Sequence, residues 1–278
     1  MSGFLSDRWR DYELLDCSQG ERLERWGTYT LVRPDPQIIW RSKRDNPAWR
    51  NPDARYERSG EGGGRWLPHK LPPKWELAYE NPKFRVGPTN FKHMGIFPEQ
   101  AANWDFVARH ADGASILNLF AYTGAATISA AKAGAIVTHV DAAKGMVNWA
   151  RENAALSGIA NVRWIVDDCA AFIAREARRG KAYDAVILDP PSYGRGPTGQ
   201  VWHLEDSLFE LLSSLRAVLS DKPRFILLNT YTTGLGAGVL KQILELLFAG
   251  HADAAELGLP ITSGGVLPCG TTGRLLFS

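Results

Sequence analysis

From about Glu99 onward, the chain alternates short apolar runs with longer stretches in which apolar residues return every three or four positions. The runs read as buried strands: ASILNLF (114–120), AIVTHVD (135–141), VRWIVDD (162–168), YDAVILD (183–189) and RFILLNT (224–230). The stretches between them read as helices. AATISAAKAG is a small-residue helix ending at Gly134, AKGMVNWARENAALSG is amphipathic with Gly158 as its stop, and two more are expected around 170–177 and 207–219. Parallel strands need such crossovers, so the pattern predicts a doubly wound, mostly parallel α/β sheet. After Leu257 the helical period stops and turn residues crowd in, which predicts an antiparallel terminal hairpin closing the sheet edge.

The first 85 residues have a different texture. YELLD, TYTLVRP and QIIWRS are short β-prone runs between turn residues, and they predict a small β-rich domain over 1–85 ahead of an α/β domain over 86–278. From Arg41 to Lys74 the chain is dense in Pro, Gly and Arg, the texture of long exposed loops. That segment holds nine basic and four acidic residues, an excess of five, whereas the 278-residue chain as a whole carries only +2. The positive charge is therefore a local patch. Trp49 and Trp66 lie within it and are expected to stack on unpaired bases, while Trp9, Trp26, Trp40 and Trp75 are expected to form the core of the small module.

The remaining composition narrows the class. Cys17, Cys169 and Cys269 are widely spaced with no CxxC pair, so neither a disulfide framework nor a metal site is expected. His69 and His93 also lack metal-ligand spacing. The opening MSGFLSDRWRDYELLD has no apolar signal-peptide core, and no stretch approaches the length of a bilayer span. The expectation is a cytoplasmic protein with no membrane partner.

In an open α/β sheet the ligand lies outside the carboxyl ends of the strands. After the first strand comes NLFAYTGAAT (118–127), in which Gly124 allows close backbone approach at a helix start. This is not GxGxxG, which removes the main support for a nicotinamide cofactor. The second strand ends in Asp141, suited to gripping the two hydroxyls of a ribose. The third ends in Asp167 and Asp168, either of which can accept from an adenine amino group. The fourth ends in Asp189-Pro190-Pro191-Ser192-Tyr193. One acid at a strand end is often only a helix cap, but acids recurring from strand to strand point to a ligand.

These residues carry a resemblance. LNLFAYTGAATISAAKAGA, HVDAAKGMVNWARENAALSG, VDDCAAF and KAYDAVILDPPSYGRG, with FKHMGIFPEQAANW upstream, resemble the class I S-adenosylmethionine-dependent methyltransferases, and among them the bacterial large-subunit ribosomal RNA methyltransferase group. The likeness runs from about Phe91 to Thr233, and the expected terminal hairpin is also the plan of that class. It implies S-adenosylmethionine as cofactor and RNA, ribosomal in that group, as partner. Gly124 and its neighbours Phe120, Tyr122 and Thr123 would hold the methionine part, Asp141 with Ala142 the ribose, and Asp168 with Cys169 the adenine. Gln100 would close over the cofactor, and Asp189 would border it.

Methyl transfer from a sulfonium is an in-line displacement, so the protein contributes mainly alignment of the acceptor and handling of one proton. Two prolines after Asp189 make a stiff turn. Such a turn can aim the Asp189 carboxylate and the Pro190 carbonyl at an exocyclic amine, with Tyr193 packed against the base. Relatives that methylate carbon 5 of cytosine place a cysteine nucleophile just after the fifth strand. Here that position reads Asn229, Thr230, Tyr231, Thr232, Thr233, and Cys169 and Cys269 read as small packing residues rather than nucleophiles. Methylation of a base nitrogen is the resulting expectation. Two other readings stay open: a methyltransferase of a protein or small molecule, and a non-catalytic RNA-binding relative. DPPY-type turns carry an aromatic in fourth position, where this chain has Ser192, so the identity of the base does not carry over.

Overall fold

In the computed structural model, which describes residues 3–59, 63–195, 201–232 and 234–277, the five apolar runs pair as neighbours in one sheet. They are β1 (Ser115–Leu119), β2 (Ile136–Asp141), β3 (Val162–Val166), β4 (Ala185–Leu188) and β5 (Phe225–Thr230). The terminal hairpin follows as β6 (Gly250–Pro260) and β7 (Val266–Phe277). The order across the sheet is β6-β7-β5-β4-β1-β2-β3, with the two-residue strand Phe4–Leu5 outside β6. Strands β1 to β5 are mutually parallel, and β7 runs antiparallel to β5, with Asn229 opposite Thr272 and Leu227 opposite Arg274. The order turns back at β1 and β4, so their carboxyl ends flank the crevice where such sheets bind ligands.

The helices are α1 (Ala101–His110), α2 (Ala125–Lys132), α3 (Lys144–Leu156), α4 (Cys169–Arg178), α5 (Leu204–Ser214) and α6 (Ala237–Leu247). Each buries one stripe. In α5 it is Leu204, Leu208, Leu211 and Leu212, and in α4 it is Cys169, Phe172, Ile173 and Glu176, the spacing that places side chains on one helical face. The stripes of α4, α5 and α6 meet Leu117, Val186, Ile226 and Leu228 on one side of the sheet. Phe106 and Val107 of α1 and Ala130 of α2 meet Ile116, Ile187, Phe225 and Leu227 on the other. Strands β4 and β5 are buried along their whole length, which is why they read as unbroken apolar runs.

The compact units divide the chain elsewhere than at 85/86. One comprises 1–4, 103–257 and 269–278, and the other comprises 5–102 with 258–268. The tip of the terminal hairpin belongs to the second unit because Ile261 bridges Leu14, and the Ser263 hydroxyl donates to Asp16 at 2.7 Å, contacts no local pattern announces. That unit is β-rich: Tyr12–Ser18, Glu21–Trp26, Tyr29–Pro34, Ala54–Arg58 and Gly64–Trp66 form a five-stranded sheet in sequence order, and Trp75–Ala78 pairs with Lys83–Val86. QIIWRS, expected as a strand, forms none. Glu21–Trp26, an unexpected one, is rich in charge because Glu24 is buried against a bidentate Arg33 at 2.6 and 2.7 Å and the Tyr12 hydroxyl at 2.8 Å. Burial alone would raise the Glu24 carboxyl, but Arg22 and Arg33 bring it down to about 2.

Candidate active site

The loop after β1 is an unusual piece of backbone. Phe120, Tyr122 and Gly124 have φ of 53°, 50° and 84°, so three of five residues are left-handed and two of these carry aromatic side chains. The two non-glycine residues cost about 1–3 kcal/mol each there and persist only where surroundings enforce them. The enforcing bonds are evident. Tyr122 N–H donates to Asp141 Oδ2 at 2.8 Å, Phe120 N–H to Cys169 Sγ at 3.3 Å, and the Asn153 amide to the Thr123 carbonyl at 2.9 Å. Gly124 serves packing as well as conformation, since a Cβ there would stand 2.9 Å from that of Ala150 on α3.

Asp141, at the end of β2, accepts Tyr122 N–H on one oxygen and Ala143 N–H at 2.8 Å on the other. Burial raises its carboxyl and the two backbone bonds oppose that rise. Ala142 beside it is exposed. Among the described residues the carboxylate is held by main chain, and its further lone pairs suit a vicinal diol. Asp168 is the N-cap of α4, accepting from Ala171 N–H at 2.8 Å, while Asp167 is ion-paired with Arg175. Cys169 is buried, which pushes its thiol up, and its sulfur accepts the Phe120 N–H and supports that backbone. Cys269 is likewise buried.

Asp189 is half-buried at the end of β4, and its Oδ1 accepts from the Asn229 amide at 2.9 Å. The turn after it is pinned at several points. Trp202 Nε1 donates to the Pro191 carbonyl at 2.7 Å, Leu204 N–H to the Ser192 carbonyl at 3.1 Å, and the Thr232 hydroxyl to Ser192 Oγ at 2.6 Å. Pro190 is buried, while Tyr193 is 51% exposed, its ring edge-on to His203 at 5.2 Å. The α/β unit thus gathers the loop 120–124, Asp141, Asp168 and Asp189 at the carboxyl ends of four neighbouring strands. Gln100 lies in the other unit, buried in the short 3-10 turn Pro98–Gln100. Asn229 and Asn153 were missed as functional residues. An amide closing the otherwise apolar β5 was a legible signal, whereas nothing local marks Asn153.

In the N-terminal unit the aromatic assignments change. Trp49 is only 4% exposed, its Nε1 donating to Asp16 at 2.8 Å and its ring under the Arg44 guanidinium, so it is core and not a stacking platform. Trp40, expected in the core, is 38% exposed beside a fully presented Ile39, and Trp66 is half-buried with its Nε1 bonded to the Thr89 and Phe91 carbonyls. Arg44 and Arg55 are both paired with Glu21, whereas Arg41, Lys43, Arg50, Arg58, Arg65, Lys70 and Lys74 are exposed. No group of three metal-ligating side chains occurs among the described residues, and no helix there is long and apolar enough to cross a membrane.

This sheet order, with its strand-end carboxylates and closing hairpin, defines a class I methyltransferase fold. Residues 47–220 match the family model for S-adenosylmethionine-dependent methyltransferases, and the chain belongs to that family, whose cofactor is S-adenosylmethionine. It is similar over 99% of its length to the crystal structure of a SAM-dependent methyltransferase from Agrobacterium tumefaciens, at 35% identity, a TM-score of 0.93 and 93% coverage of that chain. A tRNA (uracil-54, C5)-methyltransferase from Pyrococcus abyssi, in complex with S-adenosyl-L-homocysteine, shares the fold at 17% identity and a TM-score of 0.52, over 93% of this chain and 60% of that one. The ribosomal RNA large subunit methyltransferase K/L of Shewanella frigidimarina is 32% identical over 151 residues, 53% of this chain. The chain spans only 21% of that relative's length.

Proposed function

We propose that the chain transfers the methyl group of S-adenosylmethionine to a nitrogen of an RNA base, with ribosomal RNA as the substrate class. The observation that carries this reading is the Asp189 carboxylate, aimed from a pinned double-proline turn and held by Asn229, with no cysteine at the end of β5. The cofactor, when bound, supplies a methyl group already activated on a sulfonium. Asp141 grips the ribose hydroxyls, Asp168 accepts from the adenine amine with Cys169 beside it, and the tied loop through Phe120, Tyr122, Thr123 and Gly124 borders the methionine part. At the acceptor, the Asp189 carboxylate and the Pro190 carbonyl take the hydrogens of an exocyclic amine, turning the nitrogen lone pair toward the methyl group. The proton released leaves by way of Asp189, and the exposed Tyr193 packs on the base. Support for RNA comes from the exposed basic side chains between Arg41 and Lys74, from Ile39 and Trp40 beside them, and from the names of the curated relatives.

Calorimetric titration of S-adenosylmethionine into wild type and Asp141→Ala, followed by tritium transfer to protein-free ribosomal RNA, tests the reading. Loss of the ribose grip weakens cofactor binding by about 1.5–3 kcal/mol, roughly ten- to a hundredfold. Unchanged affinity in the variant removes Asp141 from the site. Label on protein instead of RNA replaces the substrate class.

A further inference from the structure

Beneath the sheet, a chain of buried polar side chains runs to Asp189 from the far end of the sequence. Arg274 on β7 donates to Asn103 Oδ1 from Nε at 3.2 Å and from a terminal nitrogen at 2.9 Å. Asn103 on α1 donates from Nδ2 to Thr272 Oγ1 at 2.8 Å, and the Thr272 hydroxyl donates to Asn229 Oδ1 at 2.8 Å. Asn229 on β5 then donates from Nδ2 to Asp189 Oδ1 at 2.9 Å. All four residues leading to Asp189 are buried, and Thr272 and Asn229 are completely so.

The direction of this chain follows from donor chemistry. A guanidinium has donors only, so Asn103 must turn its carbonyl to Arg274 and its NH2 away. Thr272 Oγ1 receives that NH2 and has one hydrogen to give, which goes to the Asn229 carbonyl. Asn229 is left with its NH2 facing Asp189. Reversing any amide would set donor against donor at Arg274 or oxygen against carboxylate at Asp189. Arg274 is itself fixed, with its guanidinium 3.6 Å from the Phe4 ring centroid and 5.0 Å from that of Phe106. Burial and nearby Arg109 lower it, but only to about 10, so it keeps its charge at neutral pH.

We propose that Arg274, Asn103 and Thr272 are positioning residues that act through Asn229 to hold the Asp189 carboxylate in its acceptor geometry. None of the three needs to touch cofactor or substrate. The inference rests on the role given to Asp189 in the proposed function. It goes further in assigning the alignment of that acid to a strand some 85 residues away in sequence.

Thr272→Val keeps the side-chain shape and removes the hydroxyl, while Thr272→Ser keeps the hydroxyl. Both are read by tritium transfer from S-adenosylmethionine to protein-free ribosomal RNA, with thermal midpoints alongside. The expected result is a kcat lower by roughly ten- to a hundredfold in Thr272→Val, an unchanged KM for S-adenosylmethionine, and recovery of most of the loss in Thr272→Ser. Equal kcat in the two variants, or a loss confined to KM, overturns the inference. If Thr272→Val does not fold, Arg274→Lys takes its place: it keeps the charge but gives up the two-point grip on Asn103, so the same fall in kcat at unchanged KM is expected, and wild-type kcat or a loss confined to KM overturns the inference. If the wild-type chain transfers no label, the proposed function fails and the Asn229 side-chain NH2 signals decide in a 15N spectrum, assigned by their absence from Asn229→Leu. Slow exchange with water in wild type and Thr272→Ser, with fast exchange in Thr272→Val or Arg274→Lys, sustains the inference, and equal exchange in all of them overturns it.

Discussion

In the N-terminal unit the buried polar groups around Glu24 are full charges, whereas beneath the carboxyl ends of β1, β2 and β5 they are mainly neutral amides and hydroxyls. Glu24 is held by Arg33, Arg22 and Tyr12, all buried with it. The α/β unit instead links Asn118 to Thr127 at 2.9 Å and Thr127 to His139 at 3.0 Å, and carries the longer chain from Arg274 to Asp189. Paired charges fix a local geometry by strength, and the loss of one partner leaves an uncompensated charge in the interior. Neutral chains fix geometry by direction, each link cheap but committed to the orientation of the next. The second device suits a site whose task is to aim a carboxylate.

Breaking the charged cluster is expected to have the largest effect. Glu24→Gln leaves the buried Arg33 without its carboxylate and Arg22 with Asp35 alone, and should cost about 3–5 kcal/mol, read from urea unfolding. A loss under about 1 kcal/mol would mean that the cluster is held by its packing and that the contrast between the two regions is false.

Acid gives the next effect. Burial, with Arg151 adding, lowers the His139 imidazole to about 3, so between pH 6.5 and 3 the unfolded chain binds a proton that the folded chain does not. Stability from this group is whole above about pH 6.5 and falls with decreasing pH by about 1.4 kcal/mol per unit, about 2 kcal/mol by pH 5. His93, lowered to about 4 mainly by burial, acts in the same direction in the other unit. Unfolding midpoints of wild type and His139→Gln at pH 7 and pH 5 separate the two, because the variant keeps only the His93 share of the slope. An unaltered slope would show that His139 is not buried in neutral form.

The smallest effect belongs to a neutral link. Thr127→Val removes the hydroxyl between Asn118 and His139 and should cost about 1–2 kcal/mol by the same unfolding measurement. A cost as large as that of Glu24→Gln would erase the difference between the two kinds of interior.

The periodicities of 3.6 and 2 residues were enough to place β1 to β5 and four crossover helices, because those elements bury regular stripes or whole strands; the terminal hairpin was legible from its turn residues, although its first strand begins at Gly250, ahead of Leu257. The strand-end acids were legible for a related reason: a charge that ends an apolar run is conspicuous, and a parallel sheet puts all such ends on one side. The N-terminal unit was harder to read. Its charged strand Glu21–Trp26 has no apolar alternation because a buried ion pair replaces it, and Trp49 reads as surface until Asp16 and Arg44 are seen around it.

The sequence by itself therefore determined the α/β architecture and the row of acids, which depend on local pattern and on the chirality of parallel crossovers, while the cofactor class followed from the resemblance its motifs carry. Only the tertiary structure decided what each acid does locally, with Asp168 capping a helix, Asp167 paired with Arg175 and Asp141 bracing a left-handed loop. It also decided that Asn103, Thr272 and Arg274 form one chain. Hydrogen bonds between residues 169 and 171 positions apart leave no periodic trace, because their partners are chosen by sheet order and not by spacing along the chain.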